Sequence, residues 1–177
     1  DGTDCQPPCA EHGECPFQYA CVNGRCEEGV CRDDRFDDGG GNDDGARARA
    51  LQFEDNHYDS GDDLLYACAR DSDWYTFETP AAGMNINVTV AFEDDADFWI
   101  YLRNDPDLNA PAVATIDTRN QEPIIDFGGR AGQETPQGRY YVHIVSRGFD
   151  EGEYRLQIDL TPGLGPDAAE PDDTPQT

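Results

Sequence analysis

Carboxylates and thiols are the side chains in this sequence whose types and spacing could do chemistry. The chain has 177 residues, and it holds 38 Asp and Glu against 12 Lys and Arg, which gives a formal net charge of −26. The densest acidic run lies within residues 32–50 and surrounds a Gly triplet at 39–41. Crowded carboxylates repel one another unless a cation neutralises them, and Ca²⁺ binds about six to eight oxygens. The run is therefore either a divalent-cation site or a solvated linker.

The cysteines are distributed unevenly along the chain. Six of the 7 lie in residues 1–31, and one stands alone: Cys5, Cys9, Cys15, Cys21, Cys26 and Cys31, and then Cys68. Residues 1–31 hold almost no aliphatic side chains, so covalent bridges must replace a core there. This pattern predicts a small disulfide-rich module and an oxidising compartment. Zinc ligation by Cys9, His12 and Cys15 is the alternative, but the spacing of a zinc ribbon or finger is missing.

The motifs of common catalytic sites do not occur in the sequence. A nucleophilic triad needs a Ser or Cys, a His and an orienting acid. The chain has only three His residues, in a cysteine-rich segment, an acidic loop and a predicted strand: His12, His57 and His143. Gly-x-Ser-x-Gly, His-Glu-x-x-His and phosphate-binding glycine loops are missing. We therefore predict that the protein is not an enzyme.

Strands are the elements that must position these groups. Apolar and polar residues alternate from Met84 to Phe92 and from Tyr154 to Leu160, which is the period of a strand with one buried face. Further β-branched or aromatic runs, separated by Gly, Pro, Asn and Asp turns, lie at 74–77, 98–102, 112–116, 124–127 and 140–145. This pattern predicts an all-β fold, an antiparallel jelly-roll-like β-sandwich over residues 51–160.

The flanking segments differ from the sandwich in composition. We assign residues 1–31 to the disulfide-rich module, 32–50 to the acidic segment and 161–177 to a Pro- and Asp-rich tail. No apolar run is long enough to span a bilayer and no signal peptide begins at Asp1, so we expect a mature chain that is secreted, extracellular or on the cell surface. The negative charge disfavours nucleic acid and anionic membrane as partners, and we expect no membrane insertion.

Several stretches of the chain resemble the bacterial pre-peptidase C-terminal domain family. They are Asn-Asp at 42–43, Asp-Ser-Asp-Trp-Tyr-Thr-Phe at 71–77, Asp-Phe-Trp-Ile-Tyr-Leu at 97–102, Gly-Arg-Tyr-Tyr-Val-His-Ile at 138–144 and Gly-Glu-Tyr-Arg-Leu at 152–156. The family is similar to the collagen-binding domains of clostridial collagenases, so the resemblance also implies a jelly-roll β-sandwich. It covers residues 37–160, most of the chain.

The resemblance implies a calcium site where an acidic segment folds back on the start of an aromatic strand. Carried over by position, its ligands would be Asp38, Asn42, Asp43, Asp71 and Asp73. The family often carries Glu at the early positions, where this chain has Asp and Gly. An EF-hand does not fit the acidic run, because placing Gly45 sixth puts Leu51 twelfth, where that loop needs Glu. The alternative for Asp71 and Asp73 is the capping of a turn.

A second acidic cluster consists of Asp94, Asp95 and Asp97. It is either a second metal site or a solvated hairpin loop in which Asp97 caps its own turn. The implied calcium site would also bring Cys31 near Cys68, and the two could then be bridged. The other arrangement is three bridges within the N-terminal module and a free Cys68. Either way one cysteine is left over, which hints at intermolecular chemistry.

Aromatic residues are the other candidate binding groups. Six lie on predicted strands, where about half should face outward: Trp74, Tyr75, Trp99, Tyr101, Tyr140 and Tyr141. Outward rows of Tyr and Trp make good surfaces for binding protein or polysaccharide, although ordinary packing is the alternative. Asn87-Val88-Thr89 also fits a glycosylation sequon.

These observations predict a non-catalytic, calcium-stabilised secreted protein. We expect a structural subunit of an extracellular or cell-surface assembly, such as a homo-oligomer or filament. The alternatives are an adhesive binding or targeting module for a protein polymer or polysaccharide surface and, from the family's name, a processed fragment of a secreted protease.

Overall fold

The computed structural model describes residues 8–9, 19–22, 24–28, 36, 41–61, 64–67, 72–93, 97–128, 135–146 and 152–163. This part of the chain forms twelve strands: β1 (Tyr19–Val22), β2 (Arg25–Glu28), β3 (Arg49–Ala50), β4 (His57–Asp59), β5 (Leu65–Ala67), β6 (Ser72–Glu78), β7 (Met84–Phe92), β8 (Phe98–Arg103), β9 (Ala114–Asp117), β10 (Ile124–Phe127), β11 (Arg139–Ser146) and β12 (Gly152–Pro162). Within it there is no helix that could cross a membrane.

Two five-stranded sheets make up the body of the fold. The first sheet has the order β10-β7-β12-β4, with β5 also paired to β12, and the second has the order β3-β6-β11-β8-β9. Every pair is antiparallel except β3 with β6, which run parallel. The predicted all-β sandwich is confirmed, with this one parallel pair as a departure from the expected antiparallel pairing.

The core lies between the sheets, where the long strands β7 and β12 bury alternate side chains. In β7 the buried set includes Ile86, Val88 and Val90, and in the adjacent β12 it includes Leu156 and Ile158, all 0 % exposed. Val88 lies opposite Ile158 and Val90 opposite Leu156, so one register buries both apolar sets together. Tyr75, Phe98, Ile100, Val142 and Ile144 face them from the second sheet.

The N-terminal module contributes a short antiparallel hairpin of β1 and β2, which form a sheet of their own. Cys21 lies opposite Cys26 in this hairpin. Cys9 donates its backbone N–H to the carbonyl of Gly24 over 3.1 Å. Cys9 and Cys26 each take part in a disulfide bond. Cys5, Cys15, Cys31 and Cys68 lie outside the described residues, so the connectivity and the proposed Cys31 to Cys68 bridge stay predictions.

Candidate functional site

The acidic segment meets the start of β6. Trp74 donates its N–H to the carbonyl of Asn42 over 2.9 Å. The hydroxyl of Ser72 donates to the carbonyl of Asp43 over 3.0 Å. Asn42 is only 1 % exposed. Two of the predicted calcium ligands are therefore tied to the strand that carries a third, Asp73.

Asp73 points into the sandwich rather than toward solvent, and it is 2 % exposed. The Tyr154 hydroxyl donates to Asp73 Oδ2 over 2.7 Å. The hydroxyls of Tyr75 and Tyr154 are themselves 2.6 Å apart. Burial, and next the negative charge of Asp73, raise the pKa of the Tyr154 phenol well above its usual value. The three side chains form a buried polar link between the two sheets, which sequence analysis did not predict.

The loop around Asp43 is shaped by its neighbouring residues. Gly41 has a φ of 64°, and a side chain there would collide with the Asp43 carboxylate, which folds back over this glycine. Asp44 Oδ1 accepts the backbone N–H groups of Ala46 and Arg47 over 2.9 and 3.0 Å. The Arg47 side chain, hydrogen-bonded to Asp44, is the main cause of the lowered pKa of that carboxyl. Asp43 is left exposed beside the start of β6.

The donors in this junction are carboxylate and amide oxygens, which suit Ca²⁺. Asp38 and Asp71 lie outside the described residues. Among the residues that are described, no three His, Cys, Asp or Glu side chains are grouped so that they could hold a metal ion. Calcium ligation by Asp38, Asn42, Asp43, Asp71 and Asp73 therefore stays a prediction.

For the second acidic cluster, the structure describes only Asp97. Its Oδ2 lies 3.7 Å from Arg119 Nε, in an exposed ion pair. Asp94 and Asp95 lie outside the described residues, so a second metal site also stays a prediction.

Three rings stack across the outer face of the second sheet. His143 of β11 lies opposite both Trp74 of β6 and Tyr101 of β8. The His143 ring centroid is 3.9 Å from that of Trp74 and 5.4 Å from that of Tyr101, with interplanar angles of 17° and 25°. We call these three side chains the aromatic ladder. Trp99 extends it, with its ring 6.1 Å from that of Tyr101, and Tyr141 meets Trp74 edge-on at 6.3 Å.

Arg103 sits over the aromatic ladder. Its guanidinium carbon is 4.9 Å from the Tyr101 ring centroid and 5.7 Å from that of Trp74, within the range of cation–π attraction. Its Nη1 donates to the carbonyl of Ala110 over 2.8 Å. Burial, with the Arg103 charge second, lowers the pKa of His143 to about 3. The imidazole is therefore neutral at physiological pH and stacks as an uncharged ring.

Two loops meet beside the aromatic ladder. A side chain on Gly45 would come within 2.5 Å of the carbonyl oxygen of Pro106. The Gly45 loop leads into β3 and the Pro106 loop follows β8, and two strands, β6 and β11, lie between β3 and β8 in the sheet. The contact therefore joins two loops from opposite sides of β11, and only glycine fits at this close approach.

Of the six aromatic residues singled out from the sequence, Tyr75 and Tyr140 belong to the core, whereas Trp74, Trp99, Tyr101 and Tyr141 lie outside the core cluster. Sequence analysis missed His143 and Arg103 as members of this face of the sheet, on which both are buried. The available signal was their spacing, since each lies two residues from an outward aromatic residue and so shares its face.

Comparisons with known proteins support the fold. No protein-family model and no curated protein sequence matches the chain, so membership of the pre-peptidase family stays a prediction. The structure is similar to PliG of Aeromonas hydrophila, a periplasmic lysozyme inhibitor of g-type lysozyme, at 14 % identity over 64 % of this chain and 96 % of that one, with a TM-score of 0.50. It is also similar to the pre-peptidase C-terminal domain of a Bacillus anthracis collagenase, at 19 % identity over 63 % of this chain and 93 % of that one, with a TM-score of 0.44.

Proposed function

We propose that this chain is a secreted, non-catalytic binding module that contacts an extracellular protein through the outer face of its second sheet. The observation that carries the proposal is the pair of Trp99 and Tyr101, whose rings stack on this face and are partly exposed. The outer face of a sandwich is normally polar, yet here two large aromatic side chains reach solvent, while Trp74, His143 and Arg103 on the same face are buried. Trp, Tyr and Arg are the residue types enriched at binding hot spots.

The comparison with PliG agrees with this proposal at the level of fold. That protein is described as an inhibitor, so a β-sandwich of this kind can act by binding a protein partner. Of the two described histidines, His143 is buried and so is out of reach of a substrate. His143 is held between two rings. His57 Nδ1 lies 2.6 Å from Asp159 Oδ1, across neighbouring strands of the other sheet.

Calcium is the second part of the proposal. We propose that Ca²⁺ binds where the 41–44 loop joins β6, held by the predicted set Asp38, Asn42, Asp43, Asp71 and Asp73. The support is the attachment of Asn42 and Asp43 to β6, the strand that carries Asp73. Asp73 is buried and accepts a hydrogen bond from Tyr154, and a cation would compensate its charge further.

Self-assembly into an oligomer or filament is kept as the competing hypothesis. Its basis in the sequence is Cys68 and the tail at residues 161–177. Cys68 and residues 164–177 lie outside the described residues. Light scattering coupled to size-exclusion chromatography, with and without reductant, separates the two hypotheses. A monomer at every concentration would eliminate the assembly.

The binding proposal is tested with insoluble collagen fibres, cellulose and chitin in co-sedimentation, and with a soluble g-type lysozyme by surface plasmon resonance. We expect saturable binding to a protein probe, weakened roughly 10-fold or more in a W99A/Y101A double variant, as for hot-spot residues. The matched control is Tyr66→Ala, on the outer face of the other sheet. Binding only to cellulose or chitin would indicate a polysaccharide target in place of a protein. Unchanged affinity in the double variant would show that this face does not bind the partner. Soluble fragments released from any probe would reject the non-catalytic role.

A further inference from the structure

A groove of about 560 Å³ opens at one edge of the sandwich, away from the aromatic ladder. Its apolar wall is formed by Leu51, Phe53, Phe77 and Leu160. Leu51, Phe77 and Leu160 belong to the main core, and Phe53 packs against it. The groove therefore lies at the edge of the apolar layer between the two sheets, and Phe53 is the partly exposed residue of its apolar wall. We call it the edge groove.

The backbone of β6 is open where it passes the edge groove. Trp74 N–H bonds the carbonyl of Asn42, and the carbonyl of Thr76 accepts from Leu51 N–H over 2.9 Å. Even-numbered residues of β6 thus direct their backbone groups to this edge, while Thr79 N–H bonds Gly138 on the β11 side. Glu78 is the next even-numbered residue. The pairing of β3 with β6 ends at Ala50. The backbone N–H and carbonyl of Glu78 therefore have no partner among the described residues.

From this combination we infer that the edge groove is a docking site for an extended peptide of a partner protein. The peptide would lie beside β6, bond the free N–H and carbonyl of Glu78, and place one large apolar side chain against the partly exposed Phe53, whose ring packs on Phe77 at 5.6 Å. Addition of a strand to a sheet edge draws affinity from main-chain hydrogen bonds and specificity from pockets for alternate side chains. An open edge beside an apolar groove supplies both.

Charge selects the kind of peptide. The groove lining holds one acid and one base, Glu78 and Arg139, which pair over 3.0 Å. The whole chain carries a net charge of −26. A long-range field of this sign attracts cationic partners and repels acidic ones. The occupant is therefore an extended peptide with a central Leu or Phe and basic residues on either side.

The test uses the full chain and a fluorescein-labelled peptide, acetyl-Lys-Thr-Thr-Leu-Thr-Thr-Lys-amide, in fluorescence polarisation. We expect saturable binding that weakens roughly 10-fold or more when the peptide amides flanking Leu are N-methylated, because methylation removes the main-chain donors. Phe53→Asp should weaken binding by a similar factor. Ile124→Asp is the matched control on the other sheet, where the native side chain is 41 % exposed, and it should leave affinity unchanged.

A second pair of variants guards against misfolding of Phe53→Asp. Glu78→Pro removes the N–H proposed to bond the peptide, at an edge where proline is tolerated. Glu78→Gln keeps that N–H. Loss of binding in Glu78→Pro and its retention in Glu78→Gln would support the inference. Failure to saturate, equal binding of the methylated peptide, or dimerisation of the chain through this edge in place of peptide binding would overturn it. Because the aromatic ladder is not involved, failure here leaves the proposed function standing.

Discussion

Tyr154 of β12 donates a hydrogen bond across the sandwich to the carboxylate of Asp73 in β6, over 2.7 Å. The donor lies in the first sheet and the acceptor in the second, so the bond joins the two layers at full burial. A carboxylate in an apolar interior needs such donors, because the loss of one leaves part of its desolvation cost uncompensated.

The first prediction concerns this bond. Tyr154→Phe keeps the ring and removes the hydroxyl shared with Asp73 and Tyr75, so we expect a loss of about 1–3 kcal/mol in the free energy of unfolding. Urea denaturation at pH 7 measures it. Thr115→Val, which removes an exposed hydroxyl of β9, is the control and should change stability little.

The raised pKa of Tyr154 adds a pH dependence to the same experiment. The folded phenol keeps its proton at pH values where the unfolded one has lost it. Its contribution to stability is therefore complete below pH 10, the ordinary pKa of tyrosine, and is lost as the pH rises above that value. The difference in stability between wild type and Tyr154→Phe should shrink above pH 10, and a constant difference would contradict the assignment.

The second prediction concerns His143 at low pH. Its pKa is about 3 in the folded state against an ordinary value of 6.5, so between these pH values only the unfolded chain binds the proton. Stability should therefore fall as the pH decreases, by roughly 1.4 kcal/mol per pH unit from this residue. His143→Phe keeps a ring in the stack and cannot titrate. As the pH is lowered from 6.5 to 4.5, we expect the free energy of unfolding of His143→Phe to increase relative to that of wild type. Urea titrations at each pH measure this difference. Parallel pH profiles would show that the imidazole is not held neutral.

The third prediction concerns calcium at the junction with β6. Saturation at about 100 times the dissociation constant should add about 2.7 kcal/mol to the free energy of unfolding, so that chelation lowers the melting temperature. Isothermal titration of Ca²⁺ into Asp43→Asn should show affinity weakened by roughly 10-fold or more, since a ligating carboxylate is lost. Asp126→Asn, on the other sheet, is the matched control. A protein that shows no heat of binding and the same melting temperature with a chelator would contradict the calcium site.

The long strands could be predicted because their signal is local. Along β7 and β12 every second residue is apolar, and burial follows the same period in the structure. The short strands carry no such signal. β3 consists of Arg49 and Ala50, both exposed, and it exists because their backbone pairs with Tyr75 and Thr76 of β6. Neither residue type favours a strand at that position.

The candidate sites were only partly predictable for a related reason. Asp73 was recognised as a candidate ligand or turn residue, but its hydrogen-bond partner Tyr154 lies 81 residues away in sequence. The aromatic ladder likewise depends on the pairing of three strands, which places Trp74, His143 and Tyr101 side by side. Composition shows that such residues exist, but only strand register shows which of them touch.

The sequence by itself determined the all-β class, the positions of the long strands and the strongly acidic character of the chain, because alternation and charge are properties of neighbouring residues. The tertiary structure alone decided that Asp73 faces inward, that Trp74 stacks on His143 and that β6 leaves an open edge at Glu78. Each of these depends on which strands pair and in what register. The pairing that forms is the one that buries the apolar faces of all the strands together.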